Sequence, residues 1–183
     1  LANKDDADKA LEAVREGNLT IEGVESKPVK RNPPPPFITS TLQQDASRRL
    51  GFGAKRTMQA AQKLYEDGRI TYMRTDGVQM ADEAYSAARS VIKSDYGSNY
   101  LPEKARRYSS KAKNAQEAHE AIRPTDFSLH PNEIKAEGDQ AKLYGLIWRR
   151  AVASQMEAAR FERTTVDIFS KSRAAGLRAT GSV

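Results

Sequence analysis

Apolar residues recur along this chain at two different periods, and the change from one to the other divides it. From residue 41 to residue 156 they fall every third or fourth position, a spacing that lines one face of a helix. Leu42, Ala46 and Leu50 form one such stripe, with Thr41 placed to cap its start. The Leu-Gly-Phe-Gly run at 50–53 then reads as a turn. Met58, Ala61 and Leu64 mark a second helix over 55–67, with Gly68 as its C-terminal stop. Ala84, Ala88, Val91 and Ile92 mark a third over 81–96, closed by Gly97, and Leu143, Ile147, Ala151 and Val152 mark the longest, over 139–156. Residues 127–138 show neither period and are expected to be irregular. Past Arg160 the period falls to two: Thr164, Val166 and Ile168 alternate with Thr165, Asp167 and Phe169, and Leu177, Ala179, Gly181 and Val183 follow suit, which predicts a hairpin. At the other end, 5–16 reads as a short helix with Leu11 and Val14 inward, followed by a strand at Leu19-Thr-Ile-Glu. Residues 27–36 are basic and then proline-rich, predicting a stiff connector.

These elements describe an α+β chain without internal repeats. A mainly helical central domain over 32–158 is inserted between two strand-rich segments, 1–31 and 159–183. The two ends are expected to pair as parts of one β-rich domain. Trp148, the sole tryptophan, is expected in the helical core.

Composition narrows the class. At 183 residues, 38% apolar and 30% charged, the chain has material for a real core and reads as soluble. No run approaches the roughly 20 apolar residues of a membrane span, and no hydrophobic N-terminal segment suggests secretion. The absence of cysteine excludes disulfides, thiolate zinc sites and cysteine nucleophiles within these residues, and suits a reducing cytoplasm. Asp5, Asp6 and Asp8 are the one dense acidic run, and at a helix start they answer the helix dipole rather than a metal. A formal charge of +6 and a pI near 9.5 favour an anionic partner, nucleic acid first.

Two segments carry candidate chemistry. Gly68-Arg-Ile-Thr-Tyr-Met-Arg-Thr-Asp-Gly77 reads as a short strand ending in a turn, and alternation puts Tyr72 and Arg74 on one side of it. A fixed guanidinium beside a phenol favours the phenolate and can also hold a phosphate through two donors. The plainer alternative is a tyrosine at the edge of a core with an exposed arginine nearby. In Gln116-Glu-Ala-His-Glu-Ala-Ile-Arg-Pro-Thr-Asp126, Asn114 and Glu117 read as a helix start and Pro124 as its stop. His119 and Arg123, four apart, would then share a helical face suited to a phosphate, with His119 also a proton carrier. A surface or core histidine is the alternative. Just upstream, 104–113 holds Lys104, Arg106, Arg107, Lys111 and Lys113 and no acid, which suits either a DNA backbone or a solvated loop. Tyr108 within it is a candidate for stacking on a base. Arg48, Arg49, Lys55 and Arg56, around the 50–53 turn, are expected to extend the same positive surface.

In this order the two segments resemble the best-known motifs of bacterial type IA DNA topoisomerases. The run Pro36-Phe-Ile-Thr-Ser-Thr-Leu-Gln-Gln-Asp-Ala-Ser-Arg-Arg-Leu-Gly-Phe-Gly53 is similar to the segment leading into that family's tyrosine domain. Gly77 departs from the pattern, since many members carry Ser there. The resemblance implies a β-rich arch and a helical domain forming part of a ring around DNA. It also implies that Tyr72 attacks a phosphodiester to give a 5′-phosphotyrosyl link and a free 3′-hydroxyl, and that a second strand passes before the nick is resealed. Arg74 would favour the phenolate or stabilise charge on the phosphoryl oxygens, and Asp76 would orient Arg74. His119, Arg123, Lys111 and Lys113 would bind DNA, chiefly single-stranded or negatively supercoiled. The storage of bond energy in the phosphotyrosine fits the absence of a phosphate-cradling glycine loop. No cofactor is expected within these residues. Mg2+ would be held by the family's acidic Toprim domain, which nothing here matches, so the chain is expected to be a fragment that binds single-stranded DNA and neither cleaves nor relaxes it. No obligate protein partner or membrane is implied, and the location would be the cytoplasm, on the nucleoid. A non-catalytic DNA-binding module of the same fold and a helical domain for an acidic protein partner remain as alternatives.

Overall fold

The computed structural model describes residues 2–15, 17, 19–109, 120–170 and 175–183. Among them the chain is α+β, with α1 (Lys4–Arg15), β1 (Leu19–Arg31), α2 (Thr39–Leu50), α3 (Ala54–Glu66), α4 (Asp82–Asp95), a single 3-10 turn (Ser98–Tyr100), α5 (Gly138–Ser154), β2 (Ala159–Ser170) and β3 (Gly176–Ser182). It divides into two compact units, Asn32–Glu157 and Leu1–Arg31 with Ala158–Val183. No helix among the described residues is long and apolar enough to cross a membrane.

The unit Asn32–Glu157 holds the apolar core. The stripes that the sequence marks are buried: Leu42 and Ala46 of α2, Ala61 and Leu64 of α3, Ala88 and Ile92 of α4, Leu143, Ile147 and Ala151 of α5. Trp148 is 3% exposed, and its indole N–H donates to the Phe127 carbonyl (2.9 Å), the partner a buried indole needs. Helix α2 begins two residues before the expected cap, with Thr41 in its first turn, where the hydroxyl accepts the Ile38 N–H at 3.1 Å. Gly51 ends it at φ 68°, a left-handed conformation that glycine adopts without penalty. One charged group sits inside: the Asp45 side chain, 7% exposed, faces Arg48, Arg49 and Arg150. Arg150 also donates to the Pro35 carbonyl (2.7 Å) and lies 4.6 Å from the centre of the Phe37 ring. The proline run is thus fastened to α5.

The other unit is an antiparallel sheet in the order β1-β2-β3. Strand β1 is longer than expected. Residues 27–31, read as connector, pair with β2, leaving only 32–36 between the strand and the isolated bridge at Phe37. Pro28 is tolerated because β1 is an edge strand. The pairing slips once, between Ile21 and Gly23. Leu11 of α1 is 46% exposed rather than inward, and only Ala13 of that helix is buried. The chain leaves the sheet at Arg31 and returns at Ala159, and these two residues are paired.

Candidate active site

The two motif segments meet backbone to backbone. Ile70 bridges Pro124 and Ile122 bridges Phe37, both antiparallel. The Thr71 N–H donates to the Arg123 carbonyl at 2.9 Å, and the Thr125 N–H to the Arg69 carbonyl at 3.1 Å. Alongside, the Ile122 N–H reaches the Phe37 carbonyl and the Ala121 N–H the Gln79 carbonyl, both at 2.8 Å. An α-helix would have turned these N–H groups onto carbonyls four residues back. Residues 120–123 therefore do not form the expected helix: their donors go to partners remote in sequence. Placing Arg123 on one helical face with His119 falls with it. His119, Lys111 and Lys113 lie outside the described residues.

The Tyr72 segment is not a ladder strand either, since after the single bridge at Ile70 the chain bends. Its burial still alternates. Met73 and Thr75 are 5% and 8% exposed and point inward, while Tyr72, Arg74 and Asp76 are exposed. The tyrosine and arginine thus share an outward side through an irregular, hydrogen-bonded segment. Tyr72 is 41% exposed, and its ring meets that of Tyr65 on α3 edge to face, with centres 5.2 Å apart. Among the described residues no hydrogen bond or ion pair engages the Tyr72 hydroxyl, Arg74 or Asp76, so Asp76 does not orient Arg74 in this state.

Arg123 is held inward. Its side chain is 13% exposed, with Nε donating to Glu120 Oε2 (2.6 Å) and Nη1 to the Pro124 carbonyl (2.9 Å). Any phosphate contact would rest on its remaining donors. Both arginines in the described part of the basic stretch are likewise engaged. Arg106 donates to the Met156 carbonyl (2.8 Å), while Arg107 pairs with Asp82 and lies 5.0 Å from the Tyr85 ring centre. The Tyr108 hydroxyl is within donating distance of the Ser154 and Pro33 carbonyls (2.8 and 3.0 Å), and burial pushes its pKa up. Tyr108 is therefore an anchor for 105–109 and not a platform for a base. Arg48 and Arg49 share the one carboxylate of Asp45, and Arg56 binds Asp139 through two bonds (2.6 and 2.7 Å), so the positive surface expected around the 50–53 turn is offset only in part.

Sequence reasoning passed over Thr39, Thr71 and Tyr65. The Thr71 hydroxyl donates to the Ala121 carbonyl (2.7 Å) and accepts the Arg123 N–H (3.0 Å). The Thr39 hydroxyl bonds to the peptides of Met73 and Thr75. Both threonines lie inside runs that the sequence singles out, Thr39 in 36–53 and Thr71 in 68–77, and that membership was the signal available. One cleft, of about 430 Å3, is lined by Arg56, Gln59, Lys63 and Asp139, none of them in either motif. Among the described residues no three His, Asp or Glu side chains converge to hold a metal ion.

A family model described as DNA topoisomerase matches residues 1–183. The whole chain is 57% identical to a DNA topoisomerase 1 of Zymomonas mobilis and covers 15% of that protein. It is 47% identical to one from Rickettsia bellii, again over the whole chain and over 24% of the relative. A solved structure of full-length topoisomerase I from Thermotoga maritima superposes with a TM-score of 0.75 at 38% identity, over 94% of this chain and 29% of that one. The chain therefore spans a quarter or less of the length of these two curated relatives.

Proposed function

The chain belongs to the DNA topoisomerase family, and from that premise we propose that it carries the strand-breaking tyrosine of a type IA enzyme. The observation that carries this reading is the exposed phenol of Tyr72 beside the point where the two motif segments bond to each other. Tyr72 Oη attacks the phosphorus of a single-stranded DNA segment. An Oη–P bond forms, the P–O3′ bond breaks, and the phenol's proton is transferred so that the departing oxygen leaves as a 3′-hydroxyl. The products are a 5′-phosphotyrosine and that hydroxyl, which reverses the step after a second strand has passed. Because the new ester keeps the bond energy of the old one, resealing needs no nucleotide. Arg74, on the same exposed side as Tyr72, stabilises charge on the non-bridging oxygens. His119, with Lys111 and Lys113, holds the DNA backbone, and Arg123 adds to that contact through the donors that Glu120 and the Pro124 carbonyl leave open. Mg2+ on this reading belongs to an acidic domain outside these residues.

The test is made in the natural polypeptide that contains this segment. Tyr72→Phe is expected to abolish both relaxation of negatively supercoiled DNA and the covalent adduct with a single-stranded oligonucleotide, leaving oligonucleotide binding within about twofold, since one hydroxyl is removed from an exposed site. Persistence of the adduct overturns the assignment. The 183 residues alone are expected to retain single-strand binding that weakens with salt, without cleavage. A non-catalytic module of the same fold would bind alike and form no adduct in either context.

A further inference from the structure

Thr39 stands in the first turn of α2, yet its hydroxyl serves the segment that bears Tyr72 rather than its own helix. A hydroxyl has one proton to give and two lone pairs to receive. Thr39 Oγ1 donates towards the Met73 carbonyl (2.8 Å) and the Thr75 carbonyl (3.1 Å) and accepts the Thr75 N–H (2.9 Å). The Thr39 N–H adds a bond to the same Thr75 carbonyl at 3.0 Å. The peptides on both sides of Arg74 are thus tied to one residue. The helix does not need this hydroxyl, because Thr41 already accepts the N–H of Ile38. Helix α2 is itself immobilised by fully buried Leu42 and Ala46 and by the Asp45–Arg150 pair. On the other side of Tyr72, the hydroxyl of Thr71 ties the chain to Ala121 and Arg123.

Resting on the reading of Tyr72 as nucleophile, we propose that Thr39 is a positioning residue for strand cleavage: its hydroxyl fixes the backbone of 73–75 so that Arg74 and the Tyr72 phenol face the scissile phosphate together. The argument is one of geometry. Residues 72–75 have no ladder partner among the described residues, their two reactive side chains are exposed, and the peptides of Met73 and Thr75 are where Thr39 holds them. A carbon in place of the hydroxyl leaves the Thr75 N–H and two carbonyls without this partner, and the segment regains freedom just where aim matters. Misplacement by about 1 Å at a reacting centre costs on the order of 100-fold in rate. Such a loss falls on turnover and not on DNA binding, since Thr39 is remote from the proposed backbone contacts in sequence and its hydroxyl is engaged by the peptides of Met73 and Thr75.

The experiment uses the natural polypeptide with Thr39→Val, which keeps the shape and removes the hydroxyl, and Thr39→Ser, which keeps the hydroxyl. Three quantities are read: the rate of covalent adduct formation on a single-stranded oligonucleotide, the oligonucleotide concentration at half-saturation, and the melting temperature. Thr39→Val is expected to slow adduct formation by roughly 10- to 100-fold with half-saturation unchanged within about twofold, and Thr39→Ser to recover the rate within about threefold. A wild-type rate in folded Thr39→Val overturns the proposal, as does a Ser variant as slow as Val, or a loss confined to half-saturation. If Thr39→Val fails to fold, Thr39→Ala carries the same reading, and failure of both to fold assigns the hydroxyl to stability alone and overturns it. Tyr72→Phe run in parallel separates the two ideas. An adduct that survives in Tyr72→Phe removes the nucleophile and this inference together, whereas an adduct lost there but formed at full rate in Thr39→Val removes only the inference.

Discussion

The neighbours of Tyr72 bond to its segment through the backbone and leave the exposed side chains of Tyr72 and Arg74 without a hydrogen-bond partner among the described residues. That separates residues that act from residues that hold, and stability measurements can tell them apart. Arg74→Ala removes an exposed side chain with no ion pair among the described residues, so its melting temperature is expected to stay within about 1 °C of wild type. In the natural polypeptide the same change should cut adduct formation by on the order of 100-fold, the scale of losing one preorganised charge at a transition state. Arg123→Ala should do the reverse in denaturation, because it breaks a mostly buried contact with Glu120 and the Pro124 carbonyl. Thr71→Val strands the Ala121 carbonyl and the Arg123 N–H, and is expected to lower unfolding free energy by about 1–3 kcal/mol in urea titrations, with Thr71→Ser close to wild type. A drop in melting temperature for Arg74→Ala matching that of Arg123→Ala would show that Arg74 belongs to the structural group.

Among the elements, the helices of Asn32–Glu157 were legible because each has one apolar face and one fate: Leu64, Ile92 and Leu143 could go nowhere but inward. The segment 120–123 was not, since its residues suit a helix and their remote backbone partners, Phe37, Gln79 and Thr71, forbid one. No local pattern encodes such partners. The alternation through Tyr72 to Asp76 was readable even though no strand forms, because alternation of side chains needs only an extended chain. The basic stretch was legible only in part, for a different reason: charge in a sequence does not say which arginines are already paired, and Arg106 and Arg107 are. Two elements carry tests of their own. Asp45→Ala leaves Arg150 without its carboxylate in a largely buried place, and should cost roughly 2–4 kcal/mol in denaturation. Tyr144 of α5 donates to the Leu129 carbonyl at 2.7 Å, and burial, with the nearby charge of Asp126, pushes its hydroxyl up to about 12. An unfolded tyrosine ionises near 10, so between about pH 10 and 12 the folded chain binds the proton that the unfolded chain has lost. Stability is therefore complete below about 10 and falls as pH rises through that window. Tyr144→Phe should flatten this alkaline fall, measured as melting temperature against pH, at some cost at neutrality for the lost bond. An equally steep fall in the Phe variant would place the titrating group elsewhere.

At the scale of the whole chain, apolar burial is unevenly shared between the two units. Asn32–Glu157 contains Phe37, Leu42, Phe52, Leu64, Ile92, Phe127, Leu143, Ile147 and Trp148, each at most 3% exposed. The sheet unit buries Ala13, Ala158, Ala175 and Ser170, while Ile21, Val24 and Leu177 are 41% exposed or more. A sheet unit that buries so little apolar side chain among its described residues gains little beyond its ladder bonds to offset the entropy of ordering it. The helical unit, by contrast, has a core of its own, and the strand residues flanking it, Arg31 and Ala159, are paired with each other. Excised as residues 32–157, it is expected to unfold in one cooperative step with a melting temperature within about 5 °C of the whole chain, since the sheet supplies almost none of the buried apolar area that sets that temperature. Residues 1–31 joined to 158–183 by a short glycine linker should show no cooperative transition. If the excised unit instead loses cooperativity, or melts far lower, the ordering of its first and last residues depends on the sheet, and Arg150, whose bond to the Pro35 carbonyl fastens the chain's entry into the unit, becomes the place to look for the coupling.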